Sequence, residues 1–243
     1  MKKPLPILTS IIVALTLVTA RAQPGPPPTP NFDGGMDKLF GDNPGFSATM
    51  EMHSTDPTGK EITMSAKMAH AEGKSRMEMD MSSMQGSHIP PQAAARMKQM
   101  GMSKVTMIIR GDKGFSYMVY PDMKAYTEMT GREKYKAASE YKADVTKLGQ
   151  ETVDGHDCVK NKVVVTDPTG PTRESTVWNA TDLKKFPIKI QTTSEKGNVT
   201  VVLFKDVNLD KPDDAQFDPP SDFKKYDDMM SLMMSRARGA PPQ

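Results

Sequence analysis

A single cysteine, Cys158, stands in a chain of 243 residues. With no partner for an internal disulfide, the fold must rest on a packed core, and Cys158 reads as a small buried side chain rather than a nucleophile. Aromatic residues are also scarce, at 6%, with one tryptophan. No sign of charge dominates. Lys plus Arg number 32 against 30 Asp plus Glu; setting aside Lys2, Lys3 and Arg21 leaves 29 against 30, a formal charge of −1. That balance removes the electrostatic basis for a nucleic-acid partner. Phosphate-binding loops, G-x-S-x-G elbows and dinucleotide fingerprints are missing, and the four histidines show no zinc-ligand spacing. The chain reads as non-enzymatic, with no cofactor.

Long apolar runs are absent beyond the N-terminus. There, Lys2 and Lys3 precede an apolar run over residues 7–18, and Ala20-Arg21-Ala22 follows. This is the pattern of a removable export signal, residues 1–22, cleaved before Gln23, and it implies a periplasmic or secreted protein. No cysteine follows the cleavage site, which excludes lipid attachment there. Residues 23–44 carry five prolines between Pro24 and Pro30 and read as a disordered Pro/Gly-rich leader.

Methionine, in contrast, is abundant, at 21 residues. In Met77-Glu78-Met79-Asp80-Met81, apolar and acidic residues alternate. Strand geometry puts the three methionines on one face and the carboxylates on the other, whereas a helix would scatter the methionines around its cylinder. Phe46, Ala48, Met50 and Met52 repeat the alternation upstream, as do Ile62, Met64, Ala66 and Met68. Asp56-Pro57-Thr58-Gly59 and Glu72-Gly73 separate these segments as turns too short for a parallel crossover.

The remaining punctuation predicts strands over 105–110, 115–120, 124–129, 150–153, 158–166, 174–180, 187–193 and 199–207. Helices are predicted over 91–101, over 133–148 from its Lys, Glu and Ala content, and over 223–236. The class is α+β: a curved antiparallel sheet, an incomplete β-barrel, of about 10–11 strands with two or three helices as its lid. The main domain spans 45–226, and 227–243 form a Met-rich helix and flexible tail.

Three segments carry a resemblance. Val177-Trp178-Asn179-Ala180-Thr181-Asp182, continuing through Leu183-Lys184-Lys185-Phe186 to Pro187-Ile188-Lys189-Ile190, is similar to a segment of the LolA/LolB/LppX lipoprotein-carrier superfamily. Gly149-Gln150-Glu151-Thr152-Val153-Asp154-Gly155-His156-Asp157-Cys158-Val159-Lys160 resembles an exported family of unknown function within it. Phe217-Asp218-Pro219-Pro220, followed by Phe223, is the third match. The resemblance implies a half-barrel whose concave apolar face holds acyl chains under a helical lid. It also implies a gating arginine, for which Arg76 and Arg110 are the strand-borne candidates.

The expected ligand is therefore apolar, a lipid or the acyl chain of a lipoprotein, and the expected partners are lipid or an acylated protein, with peripheral envelope association. The cavity lining is expected from Phe46, Met50 and Met52 on the first strand, and Met64 and Met68 on the second. Met77, Met79 and Met81 come from the third, with Met97 and Met100 from the first helix. Thioethers can adapt to acyl chains of varied shape, or can simply fill a barrel core. They also select Cu(I), and Met81, Met84 and His88 at the strand's end form the alternative metal set, since next-but-one strand side chains stand about 7 Å apart. An envelope structural or interaction module is the third reading.

Overall fold

A computed structural model describes residues 34–86, 91–130 and 136–238. The export signal, residues 23–33 of the leader, His88 and the tail from residue 239 lie outside them.

The chain opens with a short helix, α1 (Gly34–Asp37), and a 3-10 turn, Lys38–Phe40. Strands β1 (Gly45–Thr55), β2 (Glu61–Ala71) and β3 (Lys74–Asp80) follow, then helix α2 (Pro91–Gln99). β4 (Lys104–Arg110), β5 (Phe115–Tyr120) and β6 (Ala125–Met129) complete the first half. The second half comprises β7 (Lys142–Val153), β8 (His156–Thr166), β9 (Thr172–Ala180), β10 (Pro187–Thr193) and β11 (Val199–Asn208). A three-residue strand, β12 (Lys224–Tyr226), and helix α3 (Met229–Ala237) end the described chain.

All twelve strands form one open sheet in the order β12-β6-β5-β4-β3-β2-β1-β11-β10-β9-β8-β7. Two hairpin-connected meanders meet where β1 pairs antiparallel with β11, and β12 adds parallel to β6 at one edge. The short turns force sequential antiparallel pairing within each half, as the sequence implied. The α+β class and the unclosed, largely antiparallel sheet match expectation.

The methionine alternation is real, and the register extends it. Met118, Met107, Met77 and Met68 stand opposite one another across β5, β4, β3 and β2. A second row runs Met79, Ala66, Met50 and Phe204, and a third Met64, Met52 and Val202. Directly opposed side chains lie about 4.5–5.5 Å apart at Cβ, so each row is a continuous contact line. The other face carries separate patches, around Ile108 and Phe217 and around Trp178 and Ile188.

Three expectations are corrected. The helix over 133–148 is not one: residues 142–153 form the edge strand β7, paired with β8 through the Asp154-Gly155 turn, where both φ angles are positive. An edge strand with solvent on most sides tolerates Lys142, Asp144 and Lys147, so its composition imitates a solvated helix. The leader does not stay outside the fold, because from Gly34 onward it packs on the sheet and buries Leu39 and Phe40 to 8% and 1% exposure. The helix over 223–236 divides into β12 and α3, since Asp228 accepts a hydrogen bond from Ser231 N at 2.7 Å and so caps a later helix start. Leu232 docks α3 against Tyr120, Met123 and Ala125.

Two hairpin turns share a sequence and a geometry. In Asp56-Pro57-Thr58-Gly59 and Asp167-Pro168-Thr169-Gly170, the Asp carboxylate accepts from the Thr backbone N–H, at 2.8 Å in both, and from its hydroxyl. The Thr hydroxyl's hydrogen bond holds the Asp56 carboxyl below its ordinary range and the Asp167 carboxyl down to about 2.

Candidate functional site

The methionine wall is closed. Phe46, Met50, Met52, Met64, Met68, Met77 and Met79 are each no more than 8% exposed and belong to one core, with Met81 and Met84 half-buried against it. Met97 and Met100, on and just after α2, are half-buried but stand apart from that core. The segment 34–40 covers the Phe46 end of this core. The Phe40 ring lies 4.6 Å from Phe46, 5.6 Å from Phe186, 5.8 Å from Phe204 and 5.4 Å from His70, centroid to centroid. His70, which continues the apolar face of β2, pairs through Nε2 with Asp37 at 3.1 Å, both buried. Gly34 permits the approach: a Cβ there would sit 1.9 Å from Lys136 O.

Beside this plug a cleft of about 420 Å3 opens on the same inward face, over β1 and β8–β11. Its floor is a row set by strand register. Met52 faces Val202, Val202 faces Ile190, and Val165 of β8 closes the far side. Met36 and Leu39 of the covering segment form one wall. Only Met52 of the expected lining residues reaches this space. Phe46, Met50, Met64, Met68, Met77 and Met79 fill the core instead.

The rim is polar. Ser175, Thr192 and Thr200 lie where the alternation of β9, β10 and β11 turns toward the sheet ends, and Ser194, Glu195 and Asn198 come from the β10–β11 turn. Arg173 stands opposite Val165 in the register, on the inward face, and is exposed at the mouth. The arrangement offers one continuous apolar floor with hydroxyls, a guanidinium and the carboxylates of Glu174 and Glu195 at its opening. That is the layout of a site for an amphiphile.

The gating candidates sit elsewhere. Arg110 and Arg76 lie on the outward face with Ile108, their neighbour in sequence or register. Arg110 grips Asp112 through two nitrogens and reaches Asp218 and Phe217 O, which clamps the Phe217-Asp218 segment onto the sheet. The Asp112 hydrogen bond holds that guanidinium above its ordinary pKa and lowers the carboxyl's own. Arg76 bonds Glu78 and Gln216 O. The cleft's own arginine, Arg173, was missed, because its facing depends on the β8–β9 register. Ile190 and Val165 gave no such signal: an irregularity between Pro187 and Lys189 separates Ile190 from Ile188, which joins the outward patch, and Val163-Val164-Val165 does not alternate.

Of the alternative metal set, Met81 and Met84 lie against the core, and His88 is outside the described residues. The Cys158 thiol is buried, and burial pushes its pKa up and disfavours the thiolate.

Among solved structures the neighbours are LolA/LolB/LppX superfamily proteins. A LolA superfamily protein from Nitrosomonas europaea is 12% identical with a TM-score of 0.44, covering 76% of this chain and 94% of that one. Lipoprotein LppX of Mycobacterium tuberculosis is 13% identical with a TM-score of 0.39, covering 73% and 94%. A putative outer membrane lipoprotein-sorting protein domain from Vibrio parahaemolyticus is 12% identical with a TM-score of 0.36, covering 76% and 94%. No curated protein matches the chain. A family model, "Domain of unknown function (DUF4412)", matches residues 46–186.

Proposed function

The chain belongs to the DUF4412 family, and from the geometry of its cleft we propose that it is an exported, non-enzymatic binding protein for a single-chain apolar ligand, a lipid or the acyl chain of a lipoprotein. The observation that carries this reading is the Met52–Val202–Ile190 floor beneath a cleft of about 420 Å3. Burying an acyl chain there is favourable at about 25 cal/mol per Å2 of apolar surface removed from water. The volume falls low in the usual pocket range of about 300–1,000 Å3, which suits one chain rather than several. The rim of hydroxyls and charged groups would meet a polar head at the mouth. The half-buried Met36 and the Leu39 that follows it form a wall that can yield to ligands of different length.

The test is displacement of a fluorescent fatty acid from the purified chain, with lipid extraction of the same preparation followed by mass spectrometry. Wild type is expected to bind the probe and to carry extractable lipid. Ile190→Trp, which fills the floor, is expected to weaken probe binding at least tenfold with its circular dichroism unchanged. A wild-type protein that yields no lipid and binds neither fatty acid nor phospholipid would overturn the proposal.

A further inference from the structure

We infer that the α2–α3 end of the molecule docks on an anionic lipid surface. This goes beyond the cleft, which lies on β1 and β8–β11, whereas α3 packs on β5 and β6.

The first observation is an apolar stripe that no described residue covers. Met230 is 66% and Met234 53% exposed, one helical turn apart on α3, while Leu232 turns inward at 1%. Arg238, four residues beyond Met234 and also exposed, continues the same stripe. A long cationic side chain beside two flexible thioethers can bury its stem with them and keep its head among phosphates.

The second observation is charge. Arg96 and Lys98 are exposed on α2, Arg236 and Arg238 at the end of α3, and neither helix contains an acidic residue. The two ends are fastened together, because Arg236 Nη1 donates to Met100 O at 3.2 Å. The surrounding carboxylates are mostly engaged. Asp228 caps the opposite end of α3, Asp222 pairs with Lys124 and Glu128 with Lys225, and Asp80 is held by Ser82 and feels Lys98 and Lys104. Asp227 lies with Asp228 at the far end of α3, and Asp122 is an exposed carboxylate beside Gly101 and Arg236, outnumbered there by Arg96, Lys98, Arg236 and Arg238. The stripe is a narrow convex ridge of two methionines, which is too small for the buried core of a protein interface, and its cationic flank complements anionic headgroups.

The test sediments the full chain with phosphatidylglycerol-containing vesicles and with pure phosphatidylcholine vesicles, at low and high salt. The expected result is binding to the anionic vesicles only, released by salt. Arg238→Gln and Arg96→Gln should each weaken it about fivefold. Met230→Ser with Met234→Ser should abolish it, with thermal unfolding and fatty-acid binding unchanged. Ile190→Trp should leave vesicle binding intact, which separates this surface from the cleft. Absence of binding to anionic vesicles at low salt, equal binding to both vesicle types, or binding unaffected by these substitutions would each overturn the inference.

Discussion

Phe40 shows how one side chain decides what the methionine face does. Its ring is 1% exposed and meets four others, so the inward face is sealed there, and a cleft opens past Leu39. Aromatic-to-alanine changes in cores cost about 3–5 kcal/mol. Phe40→Ala is therefore expected to lower stability by that amount in urea unfolding followed by circular dichroism, and a loss below about 1 kcal/mol would show that the segment is not part of the folded core. At this scale the sequence was only half legible. Period-two spacing placed Met50, Met64 and Met77 on one face correctly, because strand alternation is a local property. It said nothing of Phe40, whose burial depends on where a glycine-rich segment lies on the sheet.

Among the elements, hairpin turns were the most readable and edge strands the least. The Asp-Pro-Thr-Gly turns announce themselves because the Asp carboxylate satisfies backbone donors inside the turn. Their chemistry has a pH consequence. The Asp167 carboxyl sits near 2 against an ordinary 3.8, held there by the Thr169 hydroxyl and N–H with Lys136 adding charge. A depressed carboxyl stabilises the fold fully above its ordinary pKa and ceases to do so as pH falls from about 4 toward 2. Asp167→Asn is accordingly expected to flatten the fall in melting temperature across that window, and an unchanged slope would count against it. β7 was readable only at its end, 150–153, for the opposite reason. With β8 on one side and solvent on the other, its residues alternate without an apolar pattern, and the bulge between Lys147 and Gly149 breaks even that. β12 was missed because three residues pairing with β6 carry no local signal of their own.

Across the whole molecule, two meanders joined at β1–β11 place a closed, methionine-filled core beside an open cleft on one continuous inward face. The half-barrel was foreseeable from turn spacing. The site was not, because Met52, Val202, Ile190 and Arg173 come from four strands, and only the register brings them together. The division between closed core and open cleft is therefore the central claim, and methionine itself reports on it. With the methionine ε-methyl groups labelled with 13C, titration by a fatty acid followed by NMR is expected to shift the Met36 and Met52 signals and to leave Met77 and Met107 in place. Shifts centred on Met77 and Met107 with Met52 unmoved would contradict the account and return the ligand to the methionine wall.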